Sequence, residues 1–431
     1  MRPRIHIIGA GMAGLAAAVR LRHLGADIIV YESAPRAGGR CRSYHDPQLD
    51  CVIDNGNHLL LSGNEAAMSF LDEIGARDRL AGPDSAAFPF VDVSTGLRWC
   101  IEPSAGLMPW WIFRSSRRVP GTGLSDYFSV LRVLNASDTS TMSACVSTKS
   151  PMYRNFWEPL TVAAINTAPH TASAALMRPV LEQTFLKGAK ACRPLVARVS
   201  LADTLIDPAV DTLKAAGIDV LFGTRVEGLT LTEGAVSSLA LDGADIPVQS
   251  SDTVILATPP WVAQSLLPTL TAPPAGGPIV NVHYRLAQPV TPDGTVRIIG
   301  VVGGLAQWVF VRNHQGVELA SVTISAAADV VDLSADEISR RCWRDVTIAL
   351  NLGDMAEPLS RVVKERRATF AQTPETQRLR PSPVTDVPNL LLAGDWTATG
   401  LPATIEGALR SGFRAAALAA RRITPSAVIA A

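Results

Sequence analysis

Residues 4–21 read RIHIIGAGMAGLAAAVRL, and a turn rich in glycine separates an apolar run from an Ala- and Leu-rich run within this stretch. The apolar residues 5–8 predict a short buried strand, and residues 13–24 predict a helix. Residues 27–31, DIIVY, predict a second strand. The chain therefore begins with a predicted βαβ unit.

The glycine-rich turn has the GxGxxG spacing of a dinucleotide-binding site. Gly9 allows a tight turn, Gly11 lets the backbone approach a pyrophosphate, and Gly14 permits close packing of the helix. Met12 and Ala13 lie where the turn meets the predicted helix, whose N-terminus faces the phosphates and attracts their charge. We therefore expect these five residues to contact a dinucleotide cofactor.

An acidic residue follows at the position where such folds bind ribose. Glu32 comes at the end of the second predicted strand, 18 positions after Gly14, and its carboxylate is placed to accept hydrogen bonds from an adenosine ribose. A surface glutamate beside a structural glycine turn is the alternative. At this point the pattern suits NAD and FAD equally.

The bulk composition excludes several classes of function. The chain has 431 residues, with 39 basic and 39 acidic side chains and no net charge. It therefore has no overall positive electrostatic potential to attract nucleic acid. Its six cysteines are scattered without CxxC or Cys/His spacing, which indicates reduced structural thiols and no metal site. The length predicts two or three domains or subdomains.

The N-terminus superficially resembles a signal peptide because Arg2 and Arg4 precede an apolar run. Cleavage there would destroy the glycine motif, so we expect the segment to be retained. No run of about 18 apolar residues without charge occurs, and no membrane-spanning helix is predicted.

Residues 35–40, PRAGGR, resemble the RxGGR extension that flavoproteins of the amine oxidase and carotenoid desaturase superfamily place after the ribose-binding acid. In that superfamily the segment lies along the pyrophosphate and the flavin. The resemblance implies that Arg36, Gly38, Gly39 and Arg40 contact FAD. A glycine loop with two solvated arginines is the structural alternative.

A second resemblance lies near the C-terminus. Residues 391–396, LLAGDW, are similar to the closing flavin motif of the same superfamily, which implies that Gly394 and Asp395 meet the ribityl or phosphate region of FAD. Small residues after Thr404 and Ile405 open a helix whose N-terminus can face the pyrimidine edge of the flavin.

Several segments resemble one branch, the hydroxysqualene dehydroxylases. These segments are DNGNHLLL (54–61), NFWEPL (155–160), AAINT (163–167) and DPA (207–209). The resemblance covers nearly the whole chain, although the family more often has Gln where this chain has Asn57. Val226 matches the position where the superfamily sets backbone against adenine, and a core valine would look the same.

This resemblance implies an α/β fold, more fully an α+β two-domain fold: a Rossmann-like FAD-binding domain with an inserted substrate domain of antiparallel sheet plus helices. We assign residues 1–75, 196–265 and 385–425 to a discontinuous FAD-binding domain. Residues 76–195 and 266–384 are assigned to the substrate domain. Residues 76–193, with interleaved Pro, Ser and Trp, are expected to be largely helical, and residues 278–323 to form the antiparallel sheet.

The resemblance also implies the reaction, the reduction of hydroxysqualene to squalene by reduced FAD in bacterial hopanoid synthesis. Hydroxysqualene is a long isoprenoid with an allylic alcohol. Loss of its protonated hydroxyl as water leaves a delocalised carbocation, which a hydride from the flavin quenches. The enzyme therefore needs an acid, a wall that tolerates a cation and a long apolar tunnel.

Three residues are candidates for the acid. Glu158 and Asp54 are carboxyl groups whose burial would raise the pKa enough for proton donation, and His58 is a candidate proton donor or orienting group. Each residue also has a structural alternative. Glu158 would cap a helix or pair with an arginine, Asp54 would anchor the loop near the flavin, and His58 would be a core histidine. Water held over the flavin, or spontaneous ionisation of the substrate, would also serve.

Aromatic residues are candidates for the wall that faces the cation. Six of the eight tryptophans lie in predicted substrate or flavin segments: Trp110, Trp111, Trp157, Trp261, Trp308 and Trp396. We expect Trp396, beside the flavin motif, to lie nearest the cation. Each of the others fits a core or surface position equally well.

Residues 107–114, LMPWWIFR, with Arg117 and Arg118 after them, combine aromatic and basic side chains. This combination predicts a peripheral membrane contact around Trp110 and Trp111, at the inner face of the bacterial cytoplasmic membrane. An internal helix with a basic face is the alternative. Residues 300–304 lack the spacing of a second nucleotide site, so we expect an external electron donor.

Other functions remain open at this stage. Carotenoid desaturation would use the same tunnel with hydride flow reversed. An amine oxidase is expected to bring an aromatic cage, and no clear tyrosine pair occurs among the five tyrosines. A non-catalytic prenyl-binding carrier would share the fold without needing both flavin motifs. The oligomeric state is not indicated.

Overall fold

The structure is a computed structural model that describes residues 2–106 and 108–423. The strands are β1 (Arg4–Ile8), β2 (Asp27–Tyr31), β3 (Ser43–Asp46), β4 (Cys51–Asp54), β5 (Leu60–Leu61), β6 (Leu80–Ala81), β7 (Phe88–Asp92), β8 (Arg98–Ile101), β9 (Pro194–Ala197), β10 (Asp219–Leu221), β11 (Val226–Thr232), β12 (Ala235–Leu241), β13 (Ala244–Pro247), β14 (Thr253–Leu256), β15 (Ile279–Arg285), β16 (Val296–Val302), β17 (Trp308–His314), β18 (Val317–Ile324), β19 (Ser360–Glu365) and β20 (Leu390–Leu392).

The α-helices are α1 (Met12–Leu21), α2 (Glu65–Glu73), α3 (Ser129–Leu134), α4 (Met142–Cys145), α5 (Glu158–Ile165), α6 (Ala174–Gln183), α7 (Ala189–Cys192), α8 (Asp207–Ala215), α9 (Pro260–Leu266), α10 (Ala335–Leu350), α11 (Pro374–Gln377) and α12 (Ile405–Ile423). The π-helical turns Tyr153–Trp157 and Ala202–Ile206 precede α5 and α8 directly. Short 3₁₀ turns are Gly39–Cys41, Arg77–Arg79, Trp110–Phe113, Ser115–Arg117, Leu124–Phe128 and Phe185–Lys187.

A five-stranded parallel sheet forms the first layer of the fold. Its strand order is β10-β2-β1-β14-β20, and every neighbouring pair runs parallel. Helices α1 and α12 pack closely together. A Cβ added at Gly412 would lie 2.2 Å from the Ala13 carbonyl oxygen, so only glycine allows this approach. The predicted βαβ opening and the Rossmann-like α/β fold are confirmed.

The second large sheet has seven strands, in the order β19-β15-β18-β17-β16-β7-β8. Its pairs are antiparallel except for β16 and β7, which run parallel. The buried faces of these strands carry Val280, Val282, Val309 and Val322, which pack against helix α10. The predicted antiparallel sheet is therefore present.

The expectation that residues 76–193 are largely helical was wrong for the first part of this segment. Strands β7 and β8 pair with each other and extend the seven-stranded sheet at its edge. Pro89 interrupts the sequence pattern of β7, and proline is tolerated in a strand only near an edge or irregularity. The first α-helix among the described residues of the segment is α3, which begins at Ser129.

Three boundaries of the sequence predictions fall outside the described residues, and one of them is residue 1, which opens the first assigned FAD-binding segment. Residues 424 and 425 close the assigned FAD-binding segment, and Leu107 opens the aromatic and basic stretch. Within the described residues, no helix is long and apolar enough to cross a membrane. The six cysteines are all free thiols.

Candidate active site

A cavity of about 870 Å³ lies between the two large sheets. One side is formed by residues at or just after the carboxyl ends of the parallel strands, including Ile8, Tyr31 and Ala257. The other side is formed by side chains of β7, β15, β17 and β18. Open α/β sheets bind ligands beyond the carboxyl ends of their strands, so this cavity is the candidate active site.

The glycine turn forms one end of the cavity. A Cβ added at Gly14 would lie 1.9 Å from the Gly9 carbonyl oxygen, so only glycine lets α1 start this close to the turn. A Cβ at Gly11 would meet nothing within 4 Å, which leaves open space where a pyrophosphate fits. Gly9, Gly11, Met12 and Ala13 line the cavity, while Gly14 supports the turn from behind.

Glu32 lines the cavity beside this turn. Its carboxylate accepts hydrogen bonds of 2.8 Å each from the backbone N–H groups of Ala10 and Ala34. These bonds hold the carboxylate at the rim of the cavity and leave lone pairs for ribose hydroxyls. The position agrees with the expected ribose contact, which remains a prediction.

Changing Glu32 to Ala should therefore weaken FAD retention. A hydrogen bond to a charged group contributes about 1.5–3 kcal/mol, which corresponds to roughly a 10- to 100-fold loss of affinity. The ratio of flavin absorbance to protein after desalting measures this loss. Glu227 also lines the cavity but makes no hydrogen bond to the turn, and Glu227→Ala is the matched control. Full flavin occupancy in Glu32→Ala would contradict the ribose assignment.

The PRAGGR segment meets the C-terminal motif across the cavity. Gly38 donates its N–H to the Ala10 carbonyl at 2.8 Å, and Gly39 opens onto the cavity. Arg40 pairs with Asp395 at 2.7 Å. Burial opposes the positive charge, but Asp395 outweighs burial and raises the pKa of Arg40. Arg36 is exposed and does not line the cavity, so the structure does not bring it to this group.

The remaining predicted cofactor contacts also line the cavity: Val226, Gly394, Asp395, Thr404 and Ile405. Gly394 has φ +149, and a Cβ there would collide with Trp396, 2.4 Å from its Nε1. The N-terminus of α12 borders the cavity through Thr404, Ile405 and Glu406, and the N–H groups of Ile405 and Glu406 have no acceptor among the described residues. Such a terminus suits an electron-rich flavin edge. The cavity therefore fits FAD.

The substrate half of the cavity is apolar and aromatic. The aromatic side chains that line it are Phe88, Phe90, Phe156, Phe185, Trp308 and Phe310. Phe90 stacks on Trp99 at 5.4 Å between ring centroids and meets the edge of Trp308 at the same distance. The sequence did not single out the phenylalanines of β7 and β17, because an alternating strand residue gives no local sign of which cavity it faces.

Trp308 and Trp396 line the cavity, and the other four candidate tryptophans do not. Trp396 is almost fully buried, and its Nε1 donates to the Thr258 carbonyl at 2.9 Å. Trp157 is buried and donates to Ser129, and Trp261 lies beneath the guanidinium of Arg367. Trp110 is exposed, and Trp111 packs edge-on against Tyr127.

His58 is the candidate acid that the structure brings to the cavity. Its Nδ1 lies 3.0 Å from the Gly56 carbonyl, and its Nε2 lies 4.0 Å from the sulfur of Cys41. Burial alone would lower the pKa of His58, but Cys41, the Gly56 carbonyl and Asp54 outweigh burial and raise it. A carbonyl only accepts hydrogen bonds, so Nδ1 carries a hydrogen and Nε2 is the atom that titrates.

The two carboxyl candidates lie elsewhere. Asp54 is buried outside the cavity wall, where it pairs with Arg312 at 2.9 Å and accepts hydrogen bonds from Ser43 and the Leu201 N–H. Glu158 is exposed at the first residue of α5. Partial desolvation raises the pKa of Glu158, but its carboxyl does not line the cavity. The structure therefore brings neither carboxyl group into the cavity wall.

Glu406 is a buried cavity residue that the sequence did not single out. Its two carboxylate oxygens accept hydrogen bonds from the N–H groups of Ala66 and Ala67 at 3.0 and 2.9 Å, which joins the N-terminus of α2 to that of α12. An acidic residue in a first helical turn is common, so its position in the sequence gave no distinguishing signal.

Known proteins resemble the chain over nearly its full length. The sequence profile of the flavin containing amine oxidoreductase family matches residues 12–420. The hydroxysqualene dehydroxylase of Sinorhizobium fredii is 44% identical over 97% of this chain and 99% of its own, and that of Rhodopseudomonas palustris is 43% identical over 97% and 98%. The solved structure of cyclohexylamine oxidase from Brevibacterium oxydans covers 98% of this chain and 99% of its own, with a TM-score of 0.72 and 16% identity; this likeness concerns the fold alone. The chain therefore belongs to the flavin containing amine oxidoreductase family and, within it, to the hydroxysqualene dehydroxylases.

Proposed function

We propose that this FAD-dependent oxidoreductase reduces hydroxysqualene to squalene. The observation that carries the proposal is the cavity itself, in which the dinucleotide cradle, His58 and an aromatic, apolar chamber meet. The identity of 43–44% to two hydroxysqualene dehydroxylases supports the same substrate. When bound in its reduced form, FAD supplies the hydride for the new C–H bond.

His58 is the proposed proton donor. Its Nε2 proton passes to the allylic hydroxyl, the C–O bond breaks, and water leaves with both bonding electrons. The hydrogen bond from Nδ1 to the Gly56 carbonyl fixes the ring. Nε2 then lies on the side of Cys41, which also lines the cavity. The raised pKa of His58 keeps more of the imidazole protonated near neutral pH than an ordinary histidine would be.

The aromatic chamber is the proposed site of the allylic cation. Ring faces of Phe90, Trp308 and Phe310 stabilise positive charge through their π electrons. The apolar side chains around them exclude water, which would otherwise capture the cation and restore the alcohol. Because each turnover consumes a hydride and the alcohol supplies none, an external donor must reduce the flavin.

The first test is anaerobic. The purified protein is reduced chemically, mixed with hydroxysqualene, and followed by its flavin spectrum, while the extracted lipid is analysed by mass spectrometry. We expect the oxidised flavin bands to return as squalene forms. A flavin that stays reduced with intact alcohol would exclude the proposed reaction, and carotenoid precursors would then be offered to the oxidised enzyme.

Changing His58 to Gln should slow this single-turnover oxidation by about 10²–10⁴-fold, the usual contribution of a general acid. Glu158→Gln is the matched control, and its rate should equal that of the wild type because Glu158 is exposed outside the cavity. Stopped-flow absorbance measures both rates. A slow Glu158→Gln variant beside a normal His58→Gln variant would reverse the assignment.

The same role predicts a pH dependence. The acid must be protonated to act, so the rate should be constant below the pKa of His58 and fall by about tenfold per pH unit above it. Because the pKa of His58 is raised from 6.5, the fall should begin above pH 6.5. Single-turnover rates between pH 5 and 9 measure the profile. A rate that rises through this range would contradict proton donation by His58.

We further propose that the protein attaches peripherally to the inner face of the cytoplasmic membrane. Exposed apolar side chains lie on the 3₁₀ turns Trp110–Phe113 and Leu124–Phe128, on α3 and just before the first turn. They are Met108, Trp110, Phe113, Phe128 and Leu131, each at least half exposed. Arg114, Arg117 and Arg118 flank them. This pattern suits the boundary between anionic headgroups and acyl chains, and a C30 hydrocarbon enters most readily from a bilayer.

Replacing Trp110 and Phe113 together by Ser should weaken binding to anionic lipid vesicles by roughly tenfold or more, since burying one large apolar side chain contributes about 1.5–3 kcal/mol. Cosedimentation with vesicles containing phosphatidylglycerol measures binding. Leu359→Ser is the control, because Leu359 is 60% exposed and lies outside this cluster. Equal vesicle binding by all three proteins would contradict the proposed attachment.

A further inference from the structure

A small polar cluster interrupts the apolar cavity beside His58. Asn57, Asn281 and Thr323 all line the cavity and are joined by hydrogen bonds. The Thr323 hydroxyl donates to Asn281 Oδ1 at 2.9 Å, and Asn57 Nδ2 donates to Thr323 Oγ1 at 3.1 Å. Polar groups in a chamber for a hydrocarbon cost desolvation energy unless they bind something polar.

The hydrogen bonds of the cluster leave one acceptor free. Asn57 Nδ2 is directed to three acceptors, namely Thr323 Oγ1, the Val322 carbonyl at 3.3 Å and Asn281 Oδ1 at 3.4 Å. This pattern fixes which end of the amide carries the nitrogen. Asn57 Oδ1 then has no donor among residues 2–106 and 108–423, although its side chain borders the cavity.

The cluster lies next to the proposed acid. Asn57 directly precedes His58, and a Cβ added at Gly56 would lie 3.4 Å from Asn281 Nδ2 and 3.6 Å from His58 Cε1. Asn281 Nδ2 also reaches back to the Asn55 carbonyl at 3.4 Å, on the loop that leads from the cofactor cradle. The free acceptor and the proton donor therefore belong to one short loop held against the substrate sheet.

We propose that Asn57 Oδ1 accepts the hydrogen bond of the substrate hydroxyl, and that Asn281 and Thr323 are positioning residues that hold this amide. The proposal rests on the proposed function. The hydroxyl hydrogen points to Asn57, so that an oxygen lone pair is available to the Nε2 proton of His58. As the C–O bond breaks, that proton and the hydroxyl leave as water, His58 becomes neutral, and Asn57 is unchanged.

This arrangement predicts a preference for the alcohol over the hydrocarbon. Squalene lacks the hydroxyl, so it leaves the Asn57 acceptor without a donor, and a site built to bind a hydroxyl binds the analogue without it less well. Asn57 thereby favours binding of the substrate and release of the product.

The test uses the oxidised holoenzyme, which lacks a hydride to transfer, so that hydroxysqualene binds without reacting. Perturbation of the flavin spectrum measures the Kd of hydroxysqualene and of squalene in the same protein. In Asn57→Leu we expect the preference for the alcohol to fall by about tenfold, with squalene affinity and FAD content unchanged. Asn57→Gln keeps an amide acceptor, and its preference should stay within a few-fold of the wild type.

Thr323→Val tests the positioning role, because it removes the hydroxyl that orients both amides while keeping the shape of the side chain. It should reduce the preference by less than Asn57→Leu does. Equal losses for alcohol and squalene, or an unchanged preference, in Asn57→Leu would overturn the inference. If the wild-type reduced enzyme converts hydroxysqualene but the preference fails to change, this inference alone falls; if it does not convert hydroxysqualene, the proposed function falls.

Discussion

Replacing Arg312 by Leu is expected to lower the free energy of unfolding by about 3–5 kcal/mol, the usual cost of leaving one member of a buried ion pair without its partner. The side chains of Arg312 and Asp54 are only 8% and 3% exposed, and the pair is 2.9 Å long. Arg312 also donates to the Val199 carbonyl, so the pair joins the loop before Leu201 to strand β17. Chemical denaturation of the FAD-bound protein measures the change.

Arg366→Leu is the matched control. Arg366 pairs with Asp332 at 2.7 Å, but the two side chains are 62% and 78% exposed, and such surface pairs contribute about 0–1 kcal/mol. The double variant Asp54→Leu with Arg312→Leu should be more stable than Arg312→Leu alone, because no charge is left unpaired. An Arg312→Leu variant as stable as the Arg366→Leu control would show that the buried pair does not hold the two parts together.

The same pair explains why the sequence was a poor guide to the acid. Asp54 and Glu158 are carboxyl groups near motifs, but the role of Asp54 depends on a partner far along the chain and that of Glu158 on its exposure to solvent. Arg312 lies 258 positions after Asp54, and no local pattern predicts that contact. His58, by contrast, lies on the short loop between β4 and β5, and the neighbouring residues Asn55 to Asn57 of that loop also line the cavity.

The cofactor half of the fold was predictable because its signals are local. The glycine turn, the strand before it and the helix after it all lie within about 20 consecutive residues. The observed limits of β1, α1 and β2 fall within three residues of the predicted ones. Helix α12, which the sequence indicates by the small residues after Thr404 and Ile405, extends over Ile405–Ile423. In the βαβ opening and in α12, the spacing of the apolar residues and the positions of the small residues both indicate the element that is observed.

The substrate half was less predictable because it depends on pairing between distant strands. Strand β7 runs parallel to β16, with Phe90 opposite Gly300, and a Cβ at Gly300 would lie 2.2 Å from the Phe90 ring. This glycine makes room for an aromatic side chain of the cavity wall. The sequence shows a glycine and a phenylalanine 210 positions apart, without any sign that they meet.

Gly11→Val is expected to yield a folded protein that does not retain FAD. A Cβ at Gly11 meets no atom within 4 Å, and the backbone there is extended at φ −74 and ψ −179, so valine fits without strain. Its methyl groups would occupy the part of the cavity between the glycine turn and Gly39, where a pyrophosphate must approach the backbone. Flavin absorbance after desalting measures retention, and circular dichroism measures folding.

Gly106→Val is the control for the substitution itself, because a Cβ at Gly106 also meets nothing within 4 Å and Gly106 does not line the cavity. This variant should keep its yellow colour. Gly14→Val should instead fail to fold, since its Cβ would lie 1.9 Å from the Gly9 carbonyl oxygen. The contrast separates a glycine needed by the ligand from one needed by the backbone. A yellow Gly11→Val protein would place the pyrophosphate elsewhere and remove the main support for the cradle.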